Sequence, residues 1–505
     1  MLSVQGLKFK GVWQDTYIAF ALFAGSLILR FLIIAPSGFD GLYGQDSYAY
    51  FDFAGELLGF AKTLQPPGPF FWPIGYPLVL ALGFAALGTS VALGQILNIL
   101  LGALLSPLVY SLARQLGGGQ MGALAAGLLM ALCGQALQSS IVLMSDIPAL
   151  AWATIGAVVV MRYFYTDRRR WLALAAFVMA VACITRWIYL LPTGLWGLAV
   201  LAWWWQHFNW RKRLLDLIAA GIAVVIVAFP QLYYNEVNPN ASLDHTYVRD
   251  WSPNNAFQRE FTTVEGNLRY EKITAIYYAQ VYYDALYLSP LLTPFLLIGA
   301  WIALQRKQIV IIAWAVLPYV FLVGIPAQNI RFPLIVFPAV AVLVGIGLDA
   351  AISWLEQHYT ENRILYRFRY APFALLLVIG CWQMLNTGVN NTKLFIANQQ
   401  RDKAVVVWAT AQIPEDAILY TFGLTPAFRH YSTFEVLDIY NEAPPALLRQ
   451  RWHKGRDDFL LMNVDLIEGQ WGELSPGVAY HWLQDERGLV TLDKFGNYTL
   501  FRVKG

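Results

Sequence analysis

The stretch GFDGLYGQDSYAYFDFAGELLGFAKTLQPPGPFFWPIGYP, residues 38–77, separates the first apolar segment of the chain from all the later ones. It carries Asp40, Asp46, Asp52 and Glu56 among a run of aromatic residues. Only 13% of the whole chain is charged. An acidic, aromatic loop between apolar segments is therefore where we expect the chemistry of this protein.

The composition is that of an integral membrane protein. Of 505 residues 58% are hydrophobic, and the mean hydropathy is +0.49; soluble domains carry about 25% charged residues. The net charge of +3 indicates no nucleic-acid partner. Cys133, Cys183 and Cys381 all fall in apolar segments, where a lone cysteine packs as a small hydrophobic residue. The sequence contains neither a disulfide framework nor a spacing typical of metal ligands.

Eleven apolar runs have a length suited to crossing a membrane, which takes about 17–25 residues for a core about 30 Å thick. They lie near residues 16–35, 92–113, 121–139, 147–165, 171–190, 192–206, 214–233, 287–304, 309–325, 333–352 and 369–387. A twelfth run, 74–90, contains Pro77 and several glycines. Whether this run crosses decides the side of everything after it.

The positions of the basic residues favour a 74–90 segment that lies in the membrane interface and does not cross the membrane. If 74–90 does not cross, the following basic residues all lie on one side of the membrane: Lys8, Lys10, Arg114, Arg162, Arg168–Arg170, Arg211–Arg213, Arg306, Lys307, Arg363, Arg367 and Arg369. Lysine and arginine are enriched on the cytoplasmic side of membrane proteins. The sequence therefore predicts about 11 transmembrane helices, a cytoplasmic N-terminus and an external acidic loop, in a multi-pass protein of the cell (plasma or inner) membrane.

The same order of membrane crossings predicts that two further segments of the chain lie outside. One is a polar loop at 234–286, which ends in a tyrosine-rich stretch including Tyr282. The other is 388–505, whose short alternating runs such as FEVLDIY and VTLDKFGNYTLFRV predict a small α/β domain. The predicted organisation is a transmembrane domain over 1–387, with outer loops at 36–77 and 234–286, followed by an extracytoplasmic α/β domain.

Charged residues from separate parts of the chain reach the outer level of this predicted bundle. They are Arg30 and Arg186 in the outer halves of spans, Asp146 and Arg331 at outer span ends, and Asp46 in the acidic loop. Ionisable groups at membrane depth are costly unless they pair or line a wet cavity, so each marks a candidate site. A structural interpretation stays open for each: the aspartates are good helix N-caps, and the arginines can snorkel to headgroups.

The order of several motifs resembles the GT-C membrane glycosyltransferases. After Arg30 come DSYAY (46–50), WPIGYPLVLALGFAALG (72–88), NILLGALLSPLVYSLARQLGG (98–118), SSIVLMSDIPAL (139–150), ACITRWIYLLP (182–192) and QNIRFPLIVFPAVAVLVGIGL (328–348). The similarity covers roughly residues 15–350, and protein O-mannosyltransferases and lipid A aminoarabinose transferases are the most similar branch. It implies a polyprenyl-phosphate-linked sugar donor, action at the extracytoplasmic face and a catalytic carboxylate in the first outer loop.

The resemblance gives individual residues roles. Asp46 matches the catalytic carboxylate, although Ser47 stands where these enzymes have a second acidic residue. Asp146 matches the acidic residue of the second outer loop. Arg331 resembles a late arginine that acts near the donor phosphate.

One position departs from the family pattern. Many members carry Lys or Arg just before the proline of the WPIGYP segment, where this chain has Phe71-Trp72. The resemblance then implies that Lys62, Arg30 or Arg186 replaces that contact with the donor phosphate.

Sugar transfer from a lipid phosphate needs a base for the acceptor hydroxyl and a cation for the leaving phosphate. We expect inverting displacement with Asp46 as base, Asp146 as an orienting group, and Arg331 with Arg186 or Arg30 on the phosphate. Tyr50, on a predicted helix over 47–60, and Tyr282 are expected to offer aromatic faces to the sugar or the isoprenoid.

The sequence leaves several partners open. The acceptor can be a protein, a lipid or a glycan, and membrane lipid surrounds the protein. No cofactor is expected, although a divalent metal between the two carboxylates is not excluded. Two other functions also stay open: a polytopic transporter or lipid flippase, and a non-catalytic lipid-binding or assembly protein.

Overall fold

The computed structural model describes residues 12–238, 246–358, 370–440 and 458–504. Part of the predicted outer loop, 239–245, therefore lies outside the described residues. So do five basic residues on which the predicted orientation draws: Lys8, Lys10, Arg363, Arg367 and Arg369.

The described chain is mainly helical up to residue 410 and mixes strands with helices after it. The helices are α1 (Val12–Ile34), α2 (Asp46–Thr63), α3 (Gly75–Leu87), α4 (Val91–Gln115), α5 (Gln120–Leu132), α6 (Gly134–Ser140), α7 (Asp146–Thr166), α8 (Arg169–Thr185), α9 (Leu190–Gln206), α10 (Trp210–Val237), α11 (Thr246–Arg249), α12 (Thr274–Ala279), α13 (Thr293–Gln305), α14 (Ile309–Leu322), α15 (Phe337–His358), α16 (Ala371–Thr410), α17 (Thr425–Tyr431), α18 (Val464–Gly469) and α19 (Ser475–Glu486). The strands are β1 (Glu260–Thr263), β2 (Gly266–Arg269), β3 (Ile418–Thr421), β4 (Glu435–Asp438), β5 (Asp458–Asn463), β6 (Leu489–Phe495) and β7 (Tyr498–Val503).

The polytopic helical architecture predicted from the sequence is confirmed. Among the described residues, 7 helices are long and apolar enough to cross a membrane, and the pair α5 and α6, bent by 53°, can form another span. Shorter apolar helices lie at Gly75–Leu87, Pro290–Gln305 and Ile309–Leu322. The count of eleven spans stays a prediction.

The segment 74–90, which decides the predicted parity, contains the short helix α3. Its 13 residues extend about 20 Å at 1.5 Å per residue, less than the hydrocarbon core of about 30 Å. The preceding helix α2 covers the amphipathic stretch that was predicted over 47–60. The length of α3 agrees with the predicted interfacial position of the 74–90 segment, which stays a prediction.

The run predicted as one span over 121–139 is interrupted at Cys133. The carbonyl oxygen of Leu286 accepts hydrogen bonds from the amides of Gly134, at 2.7 Å, and Gln135, at 3.3 Å. Free amide donors at a helix start are costly at membrane depth unless another group satisfies them. The segment that enters α13 thus stabilises the break between α5 and α6.

Helix α15 lies at the centre of the bundle, since 78% of the apolar 18-residue stretch that it contains is buried inside the protein. It packs against α13 and α5. A Cβ atom at Gly299 would overlap the carbonyl oxygen of Leu343, and one at Gly345 would overlap the carbonyl oxygen of Gly122. Small residues let helices in membranes approach this closely, and the packing they permit replaces the hydrophobic effect as a source of stability.

We expect Gly299→Ala to destabilise the bundle by about 1–3 kcal/mol, because the added methyl group has no space at the contact between α13 and α15. The measurement is the midpoint of thermal unfolding in detergent micelles. Gly221→Ala is the matched control, since a Cβ atom at this position of α10 meets nothing within 4 Å. Equal midpoints for the two variants would contradict the packing argument.

The C-terminal part contains the predicted α/β unit, a five-stranded sheet in the order β4-β3-β5-β7-β6. Strand β3 pairs in parallel with β4 and β5, whereas β7 pairs antiparallel with β5 and β6. The last turns of α16 cover one face of the sheet through Val405, Val406 and Ala409. Because α16 runs unbroken from 371 to 410, the domain division at 387/388 stays a prediction.

This C-terminal unit contacts both of the loops that were predicted to lie outside, 36–77 and 234–286. Lys403 Nζ lies 2.8 Å from Asp40 Oδ2 in the first outer loop. In the second loop, the amide of Asn267 in the β1–β2 hairpin donates a hydrogen bond to the carbonyl oxygen of Gln470, at 3.0 Å. The sheet domain and the two loops therefore form one continuous structure beside the helix ends.

Candidate active site

Asp46 is the first helical residue of α2, and the preceding residue, Gln45, occupies the N-cap position. The buried hydroxyl of Ser47 donates a hydrogen bond to the carbonyl oxygen of Tyr43, at 2.7 Å. The predicted alternative, in which Asp46 itself is the N-cap, is therefore not the observed arrangement. Its carboxylate extends from the helix start, where the partial positive charge of the helix favours an anion.

Asp146 has the same position on a second helix. It is the first residue of α7, after the N-cap residue Ser145. Its side chain is only 5% exposed. Two aspartates from distant parts of the chain thus begin two helices, and neither is used as an N-cap.

Arg331 links the two aspartates. Its Nη2 atom lies 3.6 Å from Asp46 Oδ2, and its Nη1 atom lies 3.5 Å from Asp146 Oδ2. Asn329 Oδ1 accepts hydrogen bonds from the backbone amide of Arg331, at 3.0 Å, and from its Nε, at 3.3 Å, which aims the guanidinium group at the carboxylates. Charge-assisted hydrogen bonds are usually about 2.7–2.9 Å long. Both ion pairs are therefore loose, so the guanidinium group retains donors for a further anion.

Arg186 extends the row of charges. Its Nη1 atom lies 2.7 Å from Asp146 Oδ1, and its guanidinium carbon lies 5.2 Å from the ring centroid of Phe332. Helix α8 ends at Thr185, and Arg186 has extended backbone angles, with φ −159° and ψ 117°. The structure thus brings together four predicted site residues in the order Asp46, Arg331, Asp146 and Arg186.

Two amide side chains on α4 position the loop that carries Asp146. Asn98 donates hydrogen bonds to the carbonyl oxygens of Val142 and Met144. Gln95 donates to the carbonyl oxygens of Ile141, at 2.9 Å, and Phe39, at 3.1 Å. Both amides are buried. They join the loop before α7 to the first outer loop, and sequence reasoning missed them.

Gln95 and Asn98 could have been found in the sequence, because they are three positions apart in an otherwise apolar span. Residues at this spacing lie on one helix face. Polar side chains inside a span usually face the protein interior. The pair therefore indicates a helix face turned towards irregular backbone.

The WPIGYP segment lies against the end of α8. A Cβ atom at Gly75 would be 2.6 Å from the carbonyl carbon of Ile184 and 2.7 Å from the amide nitrogen of Thr185. Gln231 Oε1 accepts a hydrogen bond from the amide of Ile74, at 2.9 Å. The glycine of this motif therefore allows the segment to pack closely beside Arg186. The segment fixes the backbone at this point, but it carries no cation at the position where the family pattern has one.

Known proteins share this architecture. A family model for dolichyl-phosphate-mannose-protein mannosyltransferases matches residues 84–241. The structure of ArnT from Cupriavidus metallidurans bound to undecaprenyl phosphate is similar with a TM-score of 0.63 and 14% identity, covering 96% of this chain and 98% of that one. The Archaeoglobus fulgidus oligosaccharyltransferase tethered with an acceptor peptide has a TM-score of 0.58 and 11% identity, covering 96% of this chain and 74% of that one. No match was found among curated proteins.

The chain has the GT-C fold. The resemblance stated from the motif order is thereby confirmed. The similarity in structure extends over nearly the whole chain, including the C-terminal sheet domain. At 14% identity or less it establishes the fold, and the roles of individual residues depend on the geometry of this site.

Tyr50 lies beside the row of charges within this GT-C fold. Its hydroxyl group and that of Ser145 are 2.9 Å apart. The ring is 2% exposed and makes edge contacts with Phe70 and Tyr76, at centroid distances of 5.8 and 5.0 Å. Its observed contacts fasten α2 to the start of α7, whereas the predicted contact with a sugar stays a prediction.

The structure places three other predicted binding residues away from these ion pairs. Arg30 is fully buried in α1, where its Nε donates to Ser140 Oγ, at 2.8 Å, and its Nη1 to Ser26. Lys62 is exposed in the last turn of α2. Tyr282 donates to the carbonyl oxygen of Ala315 on α14. Their predicted substrate contacts stay predictions.

A metal site is not indicated by the described part of the chain, which contains no group of three or more His, Cys, Asp or Glu side chains arranged to hold an ion. Asp46 and Asp146 share the Arg331 guanidinium group.

Asn98→Leu should lower the thermal midpoint, because two buried carbonyl oxygens lose their donor at a cost of about 1–3 kcal/mol. The same variant should make the 139–145 loop more accessible to hydrogen exchange. Asn390→Leu is the matched control, since Asn390 is an exposed amide on α16. The positioning role of Asn98 is wrong if the exchange of the loop is the same in both variants.

Proposed function

We propose that this chain is a glycosyltransferase that moves a sugar from a polyprenyl-phosphate-linked donor to an acceptor hydroxyl at the extracytoplasmic face of the membrane. The observation that carries the proposal is the position of Arg331 between Asp46 and Asp146. A carboxylate and a guanidinium group at the ends of membrane helices are what transfer from a lipid phosphate requires. The GT-C fold, shared with transferases, supports the same reaction class.

The donor class follows from the cations and from the relatives. Arg331 and Arg186 both bind Asp146, so two guanidinium groups lie around one carboxylate. Guanidinium groups bind phosphate oxygens in pairs. The similar ArnT structure is bound to undecaprenyl phosphate, and the matched family model is named for dolichyl-phosphate-mannose. These observations support a donor whose leaving group is a polyprenyl phosphate.

Exposure distinguishes the two carboxylates. The side chain of Asp46 is 30% exposed and contacts Arg331 only at 3.6 Å, whereas that of Asp146 is 5% exposed and lies between two arginines. A general base must reach an incoming hydroxyl. Asp46 is therefore the base in our proposal. Asp146 orients both guanidinium groups.

The proposed reaction is a single displacement with inversion. The acceptor oxygen attacks the anomeric carbon while its proton passes to a carboxylate oxygen of Asp46. The bond between the anomeric carbon and the phosphate oxygen breaks, and its electron pair stays on the phosphate. Arg331 and Arg186 stabilise the charge that develops there. The products are the glycosylated acceptor and the free polyprenyl phosphate.

The side of the membrane is proposed from the charges at the two ends of the bundle. Helix α7 extends about 30 Å from Asp146 to Thr166. Beyond that far end Arg213 Nη1 lies 2.7 Å from Asp167 Oδ1 and 3.0 Å from Asp216 Oδ2. Basic residues at this far end support a cytoplasmic position for it, and thus an external position for Asp46.

Asp46→Asn should reduce sugar transfer about 10²- to 10⁴-fold, the usual contribution of a general base. Transfer is measured with radiolabelled polyprenyl-phosphate sugar and membranes that contain the natural acceptor. Asp52→Asn is the matched control, because Asp52 is an exposed acid on the same helix. Unchanged transfer by a normally inserted Asp46→Asn variant would remove Asp46 from the mechanism.

Arg331→Gln should weaken the binding of undecaprenyl phosphate about 10- to 100-fold, because a hydrogen bond to a charged group contributes about 1.5–3 kcal/mol. Binding is measured by titration in native mass spectrometry. Arg269→Gln serves as the control, since this arginine is 76% exposed and lies on the β1–β2 hairpin. Equal affinities of wild-type protein and Arg331→Gln would contradict phosphate binding at this site.

A further inference from the structure

A separate cavity lies between the first outer loop and the C-terminal sheet domain, with a volume of about 80 Å³. Its walls come from residues 38–48, from α16 between Gln399 and Lys403, and from α17. At about 10–15 Å³ for each water position, the cavity holds roughly six waters. This is a space suited to one small ring.

A charged triad forms part of the wall of this cavity. Lys403 Nζ lies 2.8 Å from Asp40 Oδ2, and the hydroxyl of Tyr431 donates a hydrogen bond to the same oxygen, at 2.6 Å. The lysine also lies 4.4 Å from the centroid of the Tyr431 ring. Burial raises the pKa of Asp40, but the hydrogen bonds from Lys403 and Tyr431 outweigh it and hold that pKa below the usual value. The triad is thus a fixed set of charged and polar groups.

The triad keeps hydrogen-bonding capacity for a ligand. Side-chain exposures of 47% for Lys403 and 30% for Asp40 show that water reaches both groups. An ammonium group has three donors, of which Asp40 takes one. The amides of Gln399 and Gln400 lie on the same wall. Hydrogen-bond donors and acceptors therefore both border this small volume.

Aromatic rings complete the lining. Tyr43, Tyr48 and Tyr431 all border the cavity. The rings of Tyr48 and Tyr431 meet edge to face, with centroids 6.3 Å apart. A pocket that combines aromatic surface with a few fixed polar groups is suited to a ligand with both apolar faces and hydroxyl groups.

The cavity is adjacent to the proposed base in the chain. Gly44 and Tyr48, both lining residues, lie two positions before and two after Asp46. The hydrogen bond from Ser47 to the carbonyl oxygen of Tyr43 fixes this turn. A ligand held in the cavity would therefore lie next to the helix start that carries the carboxylate.

We propose that this cavity binds a saccharide unit of the acceptor, with Asp40, Lys403 and Tyr431 contacting its hydroxyl groups. The proposal rests on the proposed transferase function, and it narrows the open choice of acceptor to a glycan or a glycosylated molecule. None of the arginines proposed to bind phosphate lines this cavity. A peptide is less suited, because the polar groups surround a ring-sized volume and do not follow an extended backbone.

The test is saturation-transfer NMR on the full chain in lipid nanodiscs, with a panel of methyl glycosides as probes. At least one methyl glycoside should bind wild-type protein. Asp40→Asn and Lys403→Gln should weaken its binding about tenfold, through loss of a charge-assisted hydrogen bond. Arg269→Gln, on the exposed hairpin, is the control and should bind it as wild type does. Undecaprenyl phosphate binding, measured in parallel, should be unchanged in all three variants, which shows that they are folded.

Several outcomes would overturn the proposal. They are failure of every methyl glycoside to bind, equal binding by wild-type protein and the two cavity variants, and displacement of the bound glycoside by a serine- and threonine-containing peptide. Asp46→Asn separates this proposal from the transferase mechanism, because it should keep methyl glycoside binding while losing transfer. Retained transfer in that variant would contradict the mechanism and leave the binding result to decide the saccharide site.

Discussion

The position of Arg331 between two aspartates is the interaction on which the candidate site depends. Its guanidinium group joins the start of α2 to the start of α7, and Arg186 extends the row to the end of α8. A charged group at this depth is costly unless it is paired. The row alternates in sign, so each buried charge has an opposite neighbour. The arginine pairs at 3.5 and 3.6 Å are nevertheless loose enough for a phosphate to compete for the same donors.

Holding these groups in place requires irregular backbone near membrane depth, and the fold supplies a hydrogen-bond partner at each point. Asn98 and Gln95 bind the carbonyl groups before α7. Leu286 satisfies the amide groups at the break between α5 and α6. Non-helical backbone inside a membrane protein is tolerated where protein groups replace water. The polar side chains of α4 and the loop before α13 are therefore as important to the geometry of the site as the charged residues themselves.

The sequence could predict the helical architecture and the meeting of Asp46, Asp146, Arg186 and Arg331, because charges at helix ends and the parity of the spans depend on local patterns. The same signal was ambiguous for Arg30, which also lies in the outer half of a span. Ser26 and Ser140 bind its guanidinium group, and a contact between residues 110 positions apart leaves no local pattern.

The break at Cys133 and the sheet order β4-β3-β5-β7-β6 also depend on distant partners. The contacts of Tyr50 with Ser145 and of Tyr282 with Ala315 could not be predicted either, because their partners are distant in the sequence.

In the proposed reaction, the difference in exposure between the two aspartates separates the position of the donor phosphate from that of the acceptor. The Asp146 side chain is 5% exposed, and those of Arg331 and Arg186 are 18% and 22% exposed. Partial exclusion of water strengthens the attraction of the arginines for an anion. Asp46 is more exposed and lies on the turn that also borders the cavity at Asp40 and Lys403. In our proposal, Asp46 accepts the proton of the acceptor from this more exposed turn while the leaving phosphate stays on the arginines. Helix α2, which begins at Asp46, is the element that holds the proposed base at this position.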